Sequence, residues 1–248
     1  MSYLVKHITK ADIPRVMNIM FSVMAPTGFG RTTGEVPNRD ITFEDFICSP
    51  YSVNMARRIA EELDSDPTLH YLKAVDSRSG NMVALGKWHI YRGDQGLEAW
   101  RSSTRTDNTM QIPFGLNSDG YRCIMGKLFD KRRFFFGDGG REHCLFELLL
   151  THPQYERRGA GSLITQWGCD MADKLGLDCY LESSDPGYPV YQRKGFKDIS
   201  HDPTENVIEY RVDEFTGRQG FEEDKMRFTC MLRKPGGIGI VDRQAMFA

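Results

Sequence analysis

The chain of 248 residues is 40% hydrophobic, enough for one sizeable core with room left for a small second domain. Its formal charge of −2 and the mixing of acids with bases give no bulk attraction to a phosphate backbone, so nucleic acid is not an expected partner. The six cysteines (Cys48, Cys123, Cys144, Cys169, Cys179 and Cys230) have neither CxxC spacing nor a nearby histidine pair, which argues against a zinc or redox motif and for buried free thiols in a reducing compartment.

No linker or repeat divides the sequence. This implies a single domain over residues 1–234, with a polar, glycine-containing insertion at 92–140 between the third and fourth strands and a loose tail at 235–248. The apolar stretch at 16–25 is broken by Asn18 and Ser22 and has no basic leader or cleavage site, so it reads as a core helix. No stretch is long enough to span a bilayer, and a cytoplasmic monomer or homodimer without membrane partners or a metal is expected.

Residues 3–8 suit a short strand. Thr9, with Asp12 three positions later, resembles a capping box opening a helix that carries Pro14 in its first turn and buries Ile13, Val16, Met17, Met20 and Met24. Pro26, Gly28 and Gly30 end it. Ala56, Ile59, Ala60 and Leu63 mark a second helix over 53–63. Runs of β type at 71–75 and 82–91, joined by a polar turn containing Gly80, make an antiparallel pair. After the insertion, 144–151 reads as a buried strand. Residues 159–175 form a long helix, with Ala160, Leu163, Ile164, Trp167, Met171 and Leu175 at helical spacing and Gly176 as its stop. A strand at 178–183, a short helix at 190–194 ended by Gly195, and strands at 207–212 and 226–233 complete the series.

The most informative segment runs from Leu149 to Ser162, out of a buried strand, through a polar turn and into the long helix. A helix start leaves backbone N–H groups unpaired and carries partial positive charge, so a diphosphate can lie there when no side chain blocks it. Gly159, Ala160 and Gly161 remove that obstruction, and Arg157 and Arg158 add positive charge. Glycine is also an ordinary cap and arginines often only face solvent, so this pattern alone leaves both readings open. A Walker loop fails for want of Lys then Ser or Thr after the last glycine. A dinucleotide fingerprint is matched by Gly159, Gly161 and Glu182, but Ile164 stands at its third glycine.

The segment resembles the acetyl-CoA-binding signature of the GNAT superfamily of N-acetyltransferases, Q/R-x-x-G-x-G/A, which follows that fold's fourth strand. Gly159 and Gly161 match, whereas Glu156 stands where the family has Gln or Arg. The likeness continues through Trp167 and the helix to Gly176, then Tyr180-Leu181-Glu182-Ser183-Ser184. It extends to Val190-Tyr191-Gln192-Arg193-Lys194-Gly195-Phe196, which looks like the family's LY-x-x-x-GF region. Thr151-His152-Pro153-Gln154-Tyr155 joined to Arg157-Arg158-Gly159 is similar to a fungal group with unassigned substrates. The resemblance covers about residues 5–196. It implies an α/β (α+β) fold: a mixed, mostly antiparallel sheet with helices on both faces, splayed between its fourth and fifth strands. Acetyl-CoA would place its pantetheine in that gap, and an amine acceptor would approach from the other side. The residues expected to hold the donor are Leu149, Leu150, Thr151, Arg157, Arg158, Gly159, Ala160, Gly161, Ser162, Ser183 and Tyr191.

Transfer to an amine needs a proton acceptor, a polarised thioester carbonyl and a proton for the leaving thiolate. By the resemblance, the backbone N–H of Thr151, or of Leu150 or His152 beside it, meets the acetyl oxygen, and Tyr191 protonates the thiolate. Packing of Tyr191 against Phe196 is the alternative. Glu147 is a carboxylate inside an apolar run, placed by strict alternation on the face of Leu145, Leu149 and Thr151. It is the candidate base, with a buried salt bridge to an arginine as the competing role. His143 and His152 are lesser candidates. Trp100, Arg101, Arg132, Arg133, Phe134, Phe135, Phe136 and the loop at 27–38 are candidates for shaping acceptor access. A non-catalytic acyl-CoA-binding protein that kept only the cradle is the contrasting function.

Overall fold

The computed structural model of the chain describes residues 2–26, 41–104, 112, 118–211 and 225–237. Its eight strands are β1 (Tyr3–His7), β2 (Leu69–Asp76), β3 (Met82–Tyr91), β4 (His143–Thr151), β5 (Asp178–Ser184), β6 (Lys197–Asp198), β7 (Val207–Arg211) and β8 (Lys225–Arg233). They form one sheet in the order β1-β2-β3-β4-β5-β8-β6, with β7 also on β8. Every pair is antiparallel except β4 with β5. The mixed, mostly antiparallel sheet is the expected one, and it rules out the doubly wound parallel sheet that a dinucleotide fingerprint would need.

The helices are α1 (Ile13–Met24), α2 (Phe43–Ile47), α3 (Pro50–Ser65), α4 (Gly93–Ser103), α5 (Ser118–Phe136), α6 (Ala160–Leu175), α7 (Tyr188–Gln192) and α8 (Pro203–Asn206). Local chemistry sets their starts. Thr9 N–H donates to Asp12 Oδ2 at 2.8 Å, so the capping box exists, although it opens a 3₁₀ turn that runs on into α1. Ser49 accepts from Ser52 N–H at 3.1 Å, with Pro50 in the first position of α3. Among the described residues, no helix is long and apolar enough to cross a membrane.

One face of the sheet is covered by α6. Leu72, Ala84, Trp88, Phe146, Leu181 and Met231 pack there with Ile164, Cys169 and Ala172. Trp88 and Phe146 stack with centroids 4.1 Å apart, and Gly168 of α6 sits directly on the indole. On the other face, α1, α2 and α3 bury Val16, Met17, Ile19, Phe46 and Ile59 against Tyr71, Leu85 and Leu150. The long segment between β3 and β4, polar in sequence, carries α4 and α5. Trp100, Ile124, Leu128, Phe135 and Phe136 from it pack on Leu145, Tyr180 and Leu232.

Two irregularities in β4 position everything that follows. The first is a bulge. Lys87 pairs with Leu148 and Trp88 with Phe146, leaving Glu147 as the extra residue. Strict alternation, which puts Glu147 with Leu149 and Thr151, is therefore corrected. Leu149 and Thr151 turn to the α6 face, where a Cβ on Gly161 would come within 3.3 Å of Leu149 Cδ2 and 3.4 Å of Thr151 Oγ1. Glu147 turns to the opposite face. The second is a divergence: β4 and β5 pair only at His143 with Asp178, Cys144 with Cys179 and Leu145 with Tyr180, then separate. The gap expected between the fourth and fifth strands is thus present, bounded by residues 146–151 and 181–184.

The close seat of α6 makes a sharp test. A Cβ on Gly168 would lie 2.1 Å from the Trp88 ring, and the ring is held by its stack on Phe146. Gly168→Ala is expected to lower stability by about 1–3 kcal/mol by overpacking, despite the better helix propensity of alanine. Urea unfolding midpoints of the two proteins check it.

Candidate active site

The start of α6 lies beside the gap. After β4, a 3₁₀ turn (Pro153–Tyr155) leads to Arg157 at φ 56° and Gly159 at φ 91°, both left-handed, before Ala160 begins the helix. A non-glycine residue held in that region costs on the order of 1–2 kcal/mol, so the surrounding turn must impose it on Arg157. Among the described residues no side-chain hydrogen bond caps α6, and a Cβ on Gly159 would meet nothing within 4 Å. The first-turn amides of Ala160, Gly161 and Ser162 lack intrahelical acceptors. Arg158 lies against the Tyr155 ring at 5.6 Å. An uncapped helix start, glycines that leave it bare and adjacent arginines fit a diphosphate.

Backbone direction narrows the choice of carbonyl donor. His152 N–H donates to Val83 O at 2.9 Å, toward β3. Because successive strand amides alternate, Leu150 N–H also points to β3, while those of Thr151 and Leu149 point to the opposite edge, into the gap. Tyr191 of α7 stands on the α6 side of that gap. Its ring is buried edge-on against Phe146 at 5.9 Å and packs with Phe196 at 6.0 Å, so the packing role is present. Gly187 allows this approach, since a Cβ there would be 2.9 Å from Tyr191 Cε2 and 3.5 Å from Ser183 Oγ. Burial pushes the phenol up, which keeps it protonated. Ser183 is buried and donates to Ser184 O at 2.9 Å.

Glu147 lies at the apex of the gap, two residues past the last β4–β5 pair, on the face away from α6. Its Oε2 is 3.0 Å from Lys87 Nζ and 3.2 Å from His89 Nε2. Lys87 is also 3.0 Å from Glu62 of α3. The His89 Nδ1 is 2.8 Å from Thr68 Oγ1 and 3.6 Å from Asp66 Oδ2. Burial pushes the Glu147 carboxyl up, but Lys87 and His89 together outweigh it and hold the group well below the usual carboxylate range. Across the apex, Arg132 of α5 makes a bidentate pair to Glu182 of β5 at 2.8 and 2.9 Å, with both side chains buried. The competing role for Glu147 is thus real, but its partners are a lysine and a histidine of β3 in place of an arginine.

The remaining candidates separate. His143 is buried at the closed end of the strand pair, stacked on Phe136 at 3.8 Å, and burial pushes its pKa down to about 3. His152 sits in the turn, where its Nδ1 accepts from Gln154 N–H at 3.3 Å. Neither joins Glu147. Trp100, Phe135 and Phe136 belong to the core, Arg101 pairs with Glu98 and Arg133 with Asp130 on the surface, and Phe134 is exposed. The loop at 27–38 lies outside the described residues. Missed from the sequence were Lys87 and His89, although their alternation with apolar Gly86, Trp88 and Ile90 in β3 was a usable signal, and Glu62, Asp66 and Thr68, which only the tertiary fold brings near.

The ion pairs fix a pH dependence. The folded pKa of Glu147 is depressed, so its contribution is complete above the unfolded value of about 4.3 and is lost as pH falls through the folded one. Glu147→Gln leaves Lys87 with Glu62 as its remaining counter-charge and is expected to cost about 1–2 kcal/mol near pH 7. The difference from wild type should shrink toward about pH 3, as denaturant melts at the two pH values would reveal.

No family model matches the chain. Solved structures do. An arylalkylamine N-acetyltransferase 2 from Aedes aegypti superposes with a TM-score of 0.60 over 95% of this chain and 100% of that one, at 10% identity. A mosquito arylalkylamine N-acetyltransferase-like 5b gives a TM-score of 0.55 at 16% identity, covering 94% of this chain and 100% of that one. A GNAT superfamily phosphinothricin acetyltransferase from Sinorhizobium meliloti, in complex with AcCoA, gives 0.51 at 12% identity over 95% and 90% of the two chains. In sequence, a probable acyltransferase SID5 from Ajellomyces capsulatus is 40% identical over 45 residues, which are 18% of this chain and only 33% of that protein. With its splayed sheet and the bare start of α6, the chain has the fold of the GNAT superfamily of N-acetyltransferases.

Proposed function

We propose that the chain is an acetyl-CoA-dependent N-acetyltransferase that acetylates a primary amine of a small molecule. The observation that carries this reading is the divergence of β4 from β5 beside an uncapped helix start. Acetyl-CoA supplies the acetyl group as an activated thioester. The amides of Ala160, Gly161 and Ser162, with Arg157 and Arg158, would hold its diphosphate. Leu149 and Thr151 offer N–H groups along the gap, and Thr151 N–H is assigned to the carbonyl oxygen.

The acceptor comes from the face of Glu147. Carboxylates outnumber cations there by one: Glu62, Asp66, Glu147 and Glu182 stand against Arg58, Lys87 and Arg132. That balance favours a cationic amine over an acceptor carrying its own carboxylate. Glu147 takes a proton from the ammonium, and the free amine attacks the carbonyl carbon. Tyr191, held protonated by burial, donates to the sulfur as negative charge develops on it. The names of two structural neighbours make arylalkylamines such as tyramine the first acceptors to try.

Gly161→Glu is expected to abolish acetyl-CoA binding in calorimetry, because it puts bulk and negative charge at the start of α6, and to lower the melting temperature as well, because a Cβ at 161 would meet Leu149 Cδ2 at 3.3 Å and Thr151 Oγ1 at 3.4 Å. Undiminished affinity in a folded variant would move the donor site elsewhere. Thiol release from acetyl-CoA with a panel of primary amines then tests turnover. A wild-type protein that binds acetyl-CoA yet releases no thiol with any amine would favour a binding module over an enzyme. Tyr191→Phe is expected to lower kcat on the order of 100-fold with little change in acetyl-CoA affinity, measured by the same two assays.

A further inference from the structure

Away from the gap, two histidines and a tryptophan meet on the α6 face of the sheet, at its β1 edge. His7 ends β1 and lies opposite Leu72 of β2, so His70, two residues before Leu72, is its diagonal neighbour on the same face. Leu72 packs beneath α6, which fixes that face, and Trp167 of α6 reaches both rings. The ring centroids of His7 and His70 are 5.8 Å apart, and Trp167 lies 5.7 Å from the first and 5.2 Å from the second. His7 is exposed, whereas His70 and Trp167 are half-buried.

The pair differs from the other histidines near the sheet in its polar atoms. His89 commits a ring nitrogen to Thr68, His143 to the Arg141 carbonyl and His152 to Gln154 N–H. Among the described residues, by contrast, the contacts of His7 and His70 are ring contacts alone, and no ring nitrogen of either has a hydrogen-bond partner. Those of His70 stay open to solvent although the ring is half-buried. Two imidazoles that share one tetrahedral ion, with each nitrogen about 2.0–2.1 Å from it, stand with their ring centres roughly 5 Å apart. The 5.8 Å found here exceeds this by less than about 1 Å, which small side-chain rotations can close. The Trp167 indole, packed on the core and against both rings, limits how far either can turn away.

We propose that His7 and His70 form a two-histidine site for a divalent transition-metal ion, bridging β1 to β2 beside Trp167. One nitrogen of each imidazole gives its lone pair to the ion. Among the described residues no larger set of histidine, cysteine, aspartate or glutamate donors surrounds the pair, so water completes the shell. Imidazole nitrogen suits Zn²⁺, Ni²⁺ and Cu²⁺, and affinity among these ions is greatest for Cu²⁺. Strand β1 is the first of the sheet and pairs with β2 alone, so an ion held between the two strands ties the edge to its neighbour. Strands β3 and β4 separate the pair from the gap, and the site stands independently of the acetyltransferase reading.

The test titrates Cu²⁺ into tag-free protein carrying Cys48→Ser, which removes an exposed thiol that would compete for the ion. Bound Cu²⁺ quenches a neighbouring indole, so fluorescence is expected to fall to a plateau. Adding Trp167→Phe should remove most of that quenching while calorimetry still finds the ion. Adding His7→Gln or His70→Gln should in each case weaken binding on the order of 10-fold or more, because each removes one of the two protein donors. Both glutamine variants are expected to melt with their parent in EDTA, which shows that the fold is intact. Equal affinity in the parent and both variants would place the ion elsewhere and overturn the site. Weakening in only one variant would overturn it too, by making the ion the ligand of a single imidazole. So would the lack of saturable binding below about 1 mM.

Discussion

A strand in the middle of a sheet has two hydrogen-bonding edges, and β4 surrenders one of them past Leu145. Backbone polar groups that are shut away from water without partners are costly, so a split of this kind persists only where something keeps the strands apart and something else can use the exposed edge. Here the wedge is built from side chains on both faces. Phe146 and Tyr191 fill the α6 side, and the buried Arg132–Glu182 pair ties α5 to β5 on the other. The start of α6 comes to rest at the mouth of the split because Gly161 and Gly168 let the helix lie close on β4 and β3.

The charges behind the gap follow from the same strand. A carboxylate inside an apolar run needs compensation, and the bulge turns Glu147 away from Trp88 and Phe146 toward Lys87 and His89. Glu62 and Asp66 bring α3 into the arrangement, so α3, β3 and β4 are bound by one chain of polar contacts. Such networks are stable when each member is satisfied and fragile when one is removed. These residues therefore contribute to the fold as well as to the proposed chemistry, and substitutions among them will register in stability measurements.

The parts of this arrangement legible in the sequence were those written in local chemistry. Thr9 and Asp12, Gly176 after α6, and the glycines at 159 and 161 each act through backbone geometry within a few residues, and each element is where the pattern puts it. Helices α4 and α5 were obscured because their buried residues, Trp100, Ile124, Leu128 and Phe135, are spaced among charged side chains that cover an otherwise polar surface. Residue Ile19, fully buried in α1, was overlooked beside its methionine neighbours. The site was half legible. Glu147 stood out as a charge in an apolar strand, but its partners on β3 and α3 are far away in sequence, and the bulge that decides its face leaves no mark in a simple alternation.

The bulge has a further consequence for how the sheet finds its pairing. Strand pairing has a parity of two, and one inserted residue reverses parity along the rest of the strand. Were position 147 apolar like the rest of the run from Leu145 to Leu150, a slip of β4 by one position against β3 would exchange one set of leucines for another at small cost. Glu147 removes that degeneracy. A slipped pairing would drive its carboxylate into the stack of Trp88, Phe146 and Ile164, where no countercharge waits, and would carry Lys87 away from its only compensation on β4. The charge thus works as a register lock, discriminating against a misfolded neighbour of the native sheet as well as serving the native one.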